Sequence, residues 1–309
     1  MSSPRYPLPT DIVALAALDG RVYPNEARPW DRLGQDDHPR PLETALKQWF
    51  SFATGEHTWV SVRGAAIRGL ICARRRSRPS VWEVEVLIDA DEDKDVVLSL
   101  LTRMIADVGK QGAERVFLRL DADSPLVAAA RSAGFFPYLE ETLYRRSGPG
   151  PVPPPLAGMR PRRRGDLLGL FQLYTRAVPP AVRAVEGPTL REWQAAQEPW
   201  VGHPSELVLE ENGVIDLWLR LARGPTGRFS LLAQPSCRDL EAAVGAALRG
   251  MADARSVLVL VPAHCAGLVP VLEGMGFRVG GRYLHLARRL LRPVGELAQE
   301  QASNIIPVS

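Results

Sequence analysis

The sequence is poor in cysteine and lysine, and it has no long apolar run. Its three cysteines, Cys72, Cys237 and Cys265, lie far apart, so neither a disulfide framework nor the paired spacing of a zinc site is expected. No apolar run reaches the roughly eighteen residues of a transmembrane helix, so no membrane partner is predicted. The first ten residues are proline-rich and lack the apolar core of a secretory signal. These absences favour the cytoplasm.

The basic residues are almost all arginine, because lysine occurs only at Lys47, Lys94 and Lys110. The formal net charge is +3. Arginines cluster at residues 74–78 and 160–164, and phosphate or nucleic acid is one possible partner for such clusters. No helix carries a basic stripe, however, and no aromatic residues alternate with the arginines. We therefore interpret the clusters as a polar hairpin tip and a solvated domain entrance, and expect no nucleic-acid partner.

The most informative pattern is a long internal repeat. A helical run that ends at Gly134-Phe135 and leads into a strand-like segment recurs roughly 140 residues later, at Gly276-Phe277. Repeats of this length indicate duplicated domains, because a solenoid unit is several-fold shorter. We predict an N-terminal domain over residues 1–148, a proline-rich linker over 149–155, and a C-terminal domain over 156–309 that ends in a short tail.

Both halves have the same predicted order of elements. Helices come first, and then a hairpin, a longer strand, an amphipathic helix, a buried strand, the helix that ends at Gly-Phe, and a last strand. In the first half, apolar residues recur at helical spacing over residues 96–110. Another helix is predicted over residues 42–54. Each half is therefore an α/β domain with a β-α-β crossover.

This duplicated order resembles the GNAT N-acetyltransferase superfamily, in the form of a tandem GNAT protein. The segment from Met159 to Asp166 is similar to the R-P-x-x-x-x-D opening of many members. The resemblance implies two GNAT-like domains, each a mixed, mostly antiparallel twisted sheet flanked by helices. It also implies transfer of an acetyl or acyl group from acetyl-coenzyme A or another acyl-coenzyme A to an amine of a small molecule or peptide. The alternative is a catalytically inactive binding or scaffold protein with the same fold.

Members of this superfamily bind the coenzyme pyrophosphate with a loop of the form Q/R-x-x-G-x-G/A. The matching loop of the first half, residues 89–95, has five acids, one lysine and no glycine. Each carboxylate would repel a phosphate by about 1 kcal/mol at about 4 Å in water, so this half is not expected to bind coenzyme A. The loop lacks the glycine and glutamate of a calcium site, and we interpret its acids as helix caps.

The matching loop of the second half is less unfavourable for binding the coenzyme pyrophosphate. Ser236, Cys237 and Arg238 are the predicted coenzyme ligands, and Ala243 and Gly245 are small enough for a close approach.

The catalytic residues are less well defined by the sequence. The family's general acid, a tyrosine four residues before Gly-Phe, is replaced by Ala130 and Leu272, which predicts slow or absent transfer. Glu85 is the candidate general base, and it shares a strand face with Glu83 that lines either a cleft or solvent. In the second half, alternatives are scattered over His203, Glu206, Glu210, Asp216 and His264. No metal site is predicted.

Overall fold

The computed structural model describes residues 4–19, 23–34, 56–76, 78, 80–148, 152–153, 158–200, 202–237 and 239–290. The strands are β1 (Glu56–Arg63), β2 (Ala66–Arg75), β3 (Val81–Asp89), β4 (Arg115–Asp121), β5 (Phe136–Ser147), β6 (Met159–Pro161), β7 (Ser205–Glu211), β8 (Val214–Ala222), β9 (Thr226–Ala233), β10 (Ser256–Pro262) and β11 (Arg278–Arg289). The α-helices are α1 (Ile12–Asp19), α2 (Lys94–Lys110), α3 (Leu126–Ser132), α4 (Leu167–Ala177), α5 (Pro180–Glu186), α6 (Leu190–Ala196), α7 (Leu240–Gly250) and α8 (Val269–Gly274). The predicted helix at residues 42–54 and most of the predicted linker lie outside the described residues.

Helix α2 shows why the predicted elements form. Its buried apolar side chains share one face, as helical spacing requires. Asp93 precedes the helix, and its side chain accepts a hydrogen bond from the Asp95 N–H at 3.0 Å. The Asp93 N–H in turn donates to Asp89. Acids of the loop therefore cap the helix, and the described residues contain no group of His, Cys, Asp or Glu that could hold a metal ion.

The Gly-Phe repeat ends two helices in the same way. Gly134 and Gly276 have φ values of 80° and 82°, a left-handed conformation that glycine adopts without strain after a helix. The phenylalanine that follows each glycine is buried in the core of its own half. A left-handed stop followed by an apolar anchor explains the repeated pair.

The described strands form one mixed sheet in the order β1-β2-β3-β4-β11-β5-β10-β9-β8-β7-β6. Its pairs are antiparallel except for β3 with β4 and β9 with β10. We predicted two domains, each with a mixed, mostly antiparallel sheet flanked by helices. The class of sheet is confirmed, but the strands of both halves belong to one sheet. Among the described residues, no helix is long and apolar enough to cross a membrane.

The last strand of each half pairs with a strand of the other half. β11 lies between β4 and β5, with Leu286 opposite Leu118 and His285 opposite Leu139. β5 in turn pairs with β10. The two halves thus share a single sheet through exchanged strands, and the domain division at residues 149–155 stays a prediction.

The first arginine cluster is only in part the polar hairpin tip that the sequence predicted, because Arg75 and Arg78 are exposed whereas Arg74 and Arg76 are not. Arg74 bonds to Asp31 at 2.8 Å and to Glu83 at 3.0 Å. The Arg76 side chain is 2% exposed and bonds to Glu83 at 2.9 Å. Two arginines of the cluster are therefore internal ion-pair partners of acids on neighbouring segments, and the other two face solvent.

Candidate functional site

The cleft of the first half is filled by its own chain. β3 and β4 pair only from Val81 to Glu83 on one side, and they diverge beyond that point. Residues 23–34, which we call the wedge segment, bridge the gap. The Glu26 N–H donates to Leu87 of β3 at 2.8 Å, and the Arg28 N–H donates to Arg119 of β4 at 2.9 Å. The wedge segment thus takes the hydrogen-bonding positions that the diverging strands leave open.

Buried side chains hold the wedge segment in place. The Asn25 amide donates to the Glu85 carbonyl and accepts from the Leu87 N–H, both at 2.9 Å. From the other half, the Arg228 guanidinium donates to the carbonyl oxygens of Trp30 and Leu33. These contacts hold the wedge segment in the first cleft, and none of them involves the acidic loop at residues 89–95.

Glu85, the predicted base, lies at this closed cleft. The Glu83 and Glu85 side chains are buried rather than solvent-facing, and they share a face, because both contact Arg74. A Glu85 oxygen also bonds to Arg32. The role of Glu85 as a base stays a prediction, and its surroundings are those of a structural ion pair.

The second half has the same divergence of strands but an open gap. β9 and β10 pair from Thr226 to Phe229 on the β9 side. Beyond this point, residues 230–232 and 260–262 of the two strands contribute to the wall of a cavity of about 210 Å³. The cavity extends to β5 and β11, so its wall includes residues of both halves.

The predicted coenzyme loop connects β9 to α7 at the end of this gap. Ser236 is exposed and Cys237 is half-buried, and burial raises the pKa of the Cys237 thiol. Arg238 lies outside the described residues. The predicted close approach at Ala243 and Gly245 is wrong. Ala243 is buried in the core, and a side chain at Gly245 would contact Pro153 of the predicted linker.

The cavity wall combines aromatic rings with three carboxylates. The rings are those of Trp30, Tyr174, Trp193, Trp200 and Trp218. Two of the carboxylates, Glu141 and Glu198, bond to the same buried guanidinium: the Arg119 Nε donates to Glu141 at 2.7 Å, and its Nη1 donates to Glu198 at 3.0 Å. The third carboxylate, Glu186, does not bond to this guanidinium.

Glu186 has hydroxyl groups as hydrogen-bond partners, and it forms no ion pair with the described residues. It accepts hydrogen bonds from Tyr174 at 3.1 Å and from Tyr138 at 3.4 Å. Burial raises the pKa of Glu186 to about 7, although the Tyr174 hydrogen bond opposes this. Such a carboxyl group can accept a proton near neutral pH, as a general base must.

The exchanged strands supply the groups next to Glu186. Tyr138 of β5 is hydrogen bonded to His285 Nδ1 of β11 at 2.9 Å. Burial, followed by the charge of Arg119, holds the pKa of His285 well below its usual value. Burial and the nearby Glu186 raise the pKa of Tyr138. The result is a chain from Glu186 through Tyr138 to His285 that only the strand exchange brings together.

Of the scattered alternatives, His264 reaches the cavity. Its Nδ1 is buried without a hydrogen-bond partner, and burial lowers the pKa of its imidazole. Glu206 and Glu210 instead pair with Arg162 and Arg160. His203 is exposed.

Both replacements of the family tyrosine are buried. Ala130 and Leu272 each have 0% exposure and belong to the cores of their halves. Neither can contribute a hydroxyl group to the cavity.

Sequence reasoning missed Glu186, Tyr138, Tyr174 and His285. They come from α5, β5, α4 and β11, and no local pattern connects them. The tryptophans at positions 193, 200 and 218 are a sequence signal that could have drawn attention to this region, although large aromatic residues occur in cores as well as in cavity walls.

Three solved structures align with nearly the whole chain. A GCN5-related N-acetyltransferase from Sphaerobacter thermophilus shares 16% identity, covering 94% of this chain and 96% of its own, with a TM-score of 0.52. A tandem GNAT protein from the clavulanic acid biosynthesis pathway shares 14%, covering 92% and 94%, with a TM-score of 0.50. A putative acetyltransferase from Pyrococcus horikoshii shares 12%, covering 93% and 89%, with a TM-score of 0.52.

These likenesses concern the fold, since all three identities are low. No family model matches the sequence, and no curated protein matches it either. The chain has a tandem GNAT fold, as its duplicated order of elements predicted.

Proposed function

We propose that the protein is a cytoplasmic acyl-coenzyme A-dependent N-acyltransferase whose working cleft is in the second half. The observation that carries this proposal is the contrast between the two clefts. The wedge segment fills the first cleft, whereas the second opens into a cavity lined by residues 230–232 and 260–262. Diverging strands leave backbone groups that an extended, amide-containing chain such as pantetheine can pair with.

The coenzyme pyrophosphate would lie at Ser236, Cys237 and Arg238, before α7. Backbone N–H groups in the first turn of a helix have no intrahelical acceptor, and the helix dipole favours an anion there. The coenzyme supplies the activated acyl group, and the residues of this chain hold it and orient it against the acceptor.

Glu186 would accept the proton of the acceptor ammonium. It lines the cavity, and its pKa of about 7 matches that task near neutral pH. The acceptor is a small-molecule amine or a peptide amine. Glu85 stays an alternative base, and substitution separates the two: E186Q should lower kcat about a hundredfold or more, whereas E85Q should affect stability more than kcat.

Calorimetry with acetyl-coenzyme A tests the choice of cleft. Arg238→Glu should weaken binding at least several-fold, because it places a carboxylate beside the pyrophosphate. Asp95→Arg, a charge reversal in the matching region of the first half, is the control and should leave the affinity unchanged. A changed affinity in Asp95→Arg, with none in Arg238→Glu, would move the coenzyme to the first half.

A catalytically inactive binding protein is the second candidate, and the buried Ala130 and Leu272 favour it. It predicts coenzyme binding without turnover. A panel of amines assayed by free-thiol release distinguishes the two functions, since an enzyme without its general acid should be slowed rather than silenced.

A further inference from the structure

One cation in the cavity wall, Arg220, has no acid partner among the residues that the structure describes. Arg220 of β8 lies between two indole rings, with its guanidinium carbon 4.6 Å from the Trp200 ring centre and 5.1 Å from that of Trp218. Its Nε is buried and has no hydrogen-bond partner. Its Nη1 donates only a long hydrogen bond, at 3.4 Å, to Gln197.

The nearby acid is already occupied. Glu206 accepts from Arg162 at 3.1 Å and from the Trp218 indole at 2.9 Å. Within the described part of the chain, Arg220 forms no ion pair. Burial lowers the pKa of Arg220 to about 10, and the nearby Glu206 opposes this effect only in part. A partly buried guanidinium without a carboxylate partner is costly, and an anionic ligand would relieve that cost.

Glu186 is the negatively charged counterpart of Arg220 in the cavity wall. Among the described residues it forms no ion pair, because Arg119 bonds to the other two cavity carboxylates. The cavity therefore presents one positive and one negative group, each without a counter-ion.

A row of rings connects these two groups. Tyr174, which contacts Glu186, is 5.5 Å from Trp193 between ring centres, and Trp193 is 6.0 Å from Trp218, which contacts Arg220. Two successive ring contacts thus lie between the ring next to Glu186 and the ring next to Arg220. The surface between the charges is aromatic and suits an apolar body.

We propose that the acyl acceptor is a small zwitterion with its amine and carboxylate at opposite ends of an apolar body, such as an ω-amino acid or an apolar dipeptide. Its carboxylate pairs with the Arg220 guanidinium, and its amine faces Glu186. This inference rests on the proposed function for the fate of the amine, whereas the pairing with Arg220 requires binding alone.

Acyl transfer to 6-aminohexanoate and to its neutral amide, 6-aminohexanamide, tests the proposal in the full-length protein with saturating acetyl-coenzyme A. The wild type should prefer the carboxylate in kcat/KM by about tenfold or more, as expected for a charge-assisted pair. Arg220→Gln should remove that preference, and Arg220→Lys should retain part of it. Arg223→Gln, at an exposed position directly after β8, is the control and should keep the full preference.

Three results would overturn the proposal: equal use of the amide by the wild type, an unchanged preference in Arg220→Gln, or better use of leucine than of 6-aminohexanoate. Calorimetric titration of 6-aminohexanoate without coenzyme separates this proposal from the enzymatic one. Binding that Arg220→Gln abolishes, without turnover of any amine, would sustain the zwitterion site and refute the transferase. Absence of both binding and transfer would refute the site. Thermal melts establish that each variant is folded.

Discussion

Three glutamates in one cavity show how surroundings decide the role of a residue. Arg119 and Arg76 keep the pKa of Glu198 low despite its burial. Burial raises the pKa of Glu141, and the charge of Arg119 opposes this effect. Glu186 has two tyrosine hydroxyls instead of a guanidinium, so burial dominates and its pKa rises to about 7. Two of the three glutamates are thus structural ion-pair partners, and the third is a candidate proton acceptor.

The raised pKa of Glu186 predicts opposite effects of pH on stability and on activity. The folded protein holds this proton more tightly than the unfolded chain does. The resulting stability is fully present below pH about 4.5 and is lost as the pH rises to about 7, a cost of order 3 kcal/mol. Deprotonated Glu186 is the active base, so kcat/KM should rise with an apparent pKa of about 7.

Glu186→Gln should therefore unfold at a higher denaturant concentration than the wild type at pH 8, with little difference at pH 4. It should also lose the pH dependence of kcat/KM near 7. Glu140→Gln, an exposed change on β5, is the control and should alter neither property. Equal stabilisation of Glu186→Gln at both pH values would show that burial does not raise this pKa.

At the scale of elements, the wedge segment distinguishes the two halves. Both pairs of central strands diverge after a short parallel stretch, but among the described residues only the first gap receives a segment of the chain. A closed cleft can contribute stability and an open one can bind a ligand, so duplication allows the halves to divide these tasks.

The Asn25 side chain is expected to be the main polar anchor of the wedge segment. Asn25→Ala would leave the Glu85 carbonyl and the Leu87 N–H without their partner, and unfolding by urea should show a loss of about 1–3 kcal/mol. Gln172→Ala, at an exposed position of α4, should change stability by less than about 0.5 kcal/mol. Equal losses in both variants would contradict an anchoring role.

The sequence predicted most elements but not their partners. Helix α2 and the Gly-Phe turns were predicted because apolar spacing and glycine conformation are local properties. The pairing of β11 with β4 involves residues such as Leu286 and Leu118, which are far apart in the chain. The contact between Tyr138 and His285 follows from that exchange, so no local pattern could reveal it.

At the scale of the whole molecule, the exchanged strands make each half depend on the other. Without β11, the backbone groups of β4 and β5 that face it would be unpaired, and unpaired strand edges promote aggregation. The cavity has the same dependence, because Glu141 comes from β5 and His285 from β11. We therefore expect the tandem arrangement to be required for folding as well as for the candidate site.

This dependence predicts that neither half is stable alone, even if the chain is cut within the predicted linker. Residues 1–148 and 156–309, expressed separately, should be largely insoluble or aggregated, because each lacks the strand that separates its own last two strands in the sheet. Expressed together, the fragments should copurify as a one-to-one complex, since the exchanged strands need no covalent connection between β5 and β6. Size-exclusion chromatography and circular dichroism measure both outcomes. A first half that is monomeric and unfolds cooperatively by itself would show that β5 can pair directly with β4, and that the exchange contributes little to folding.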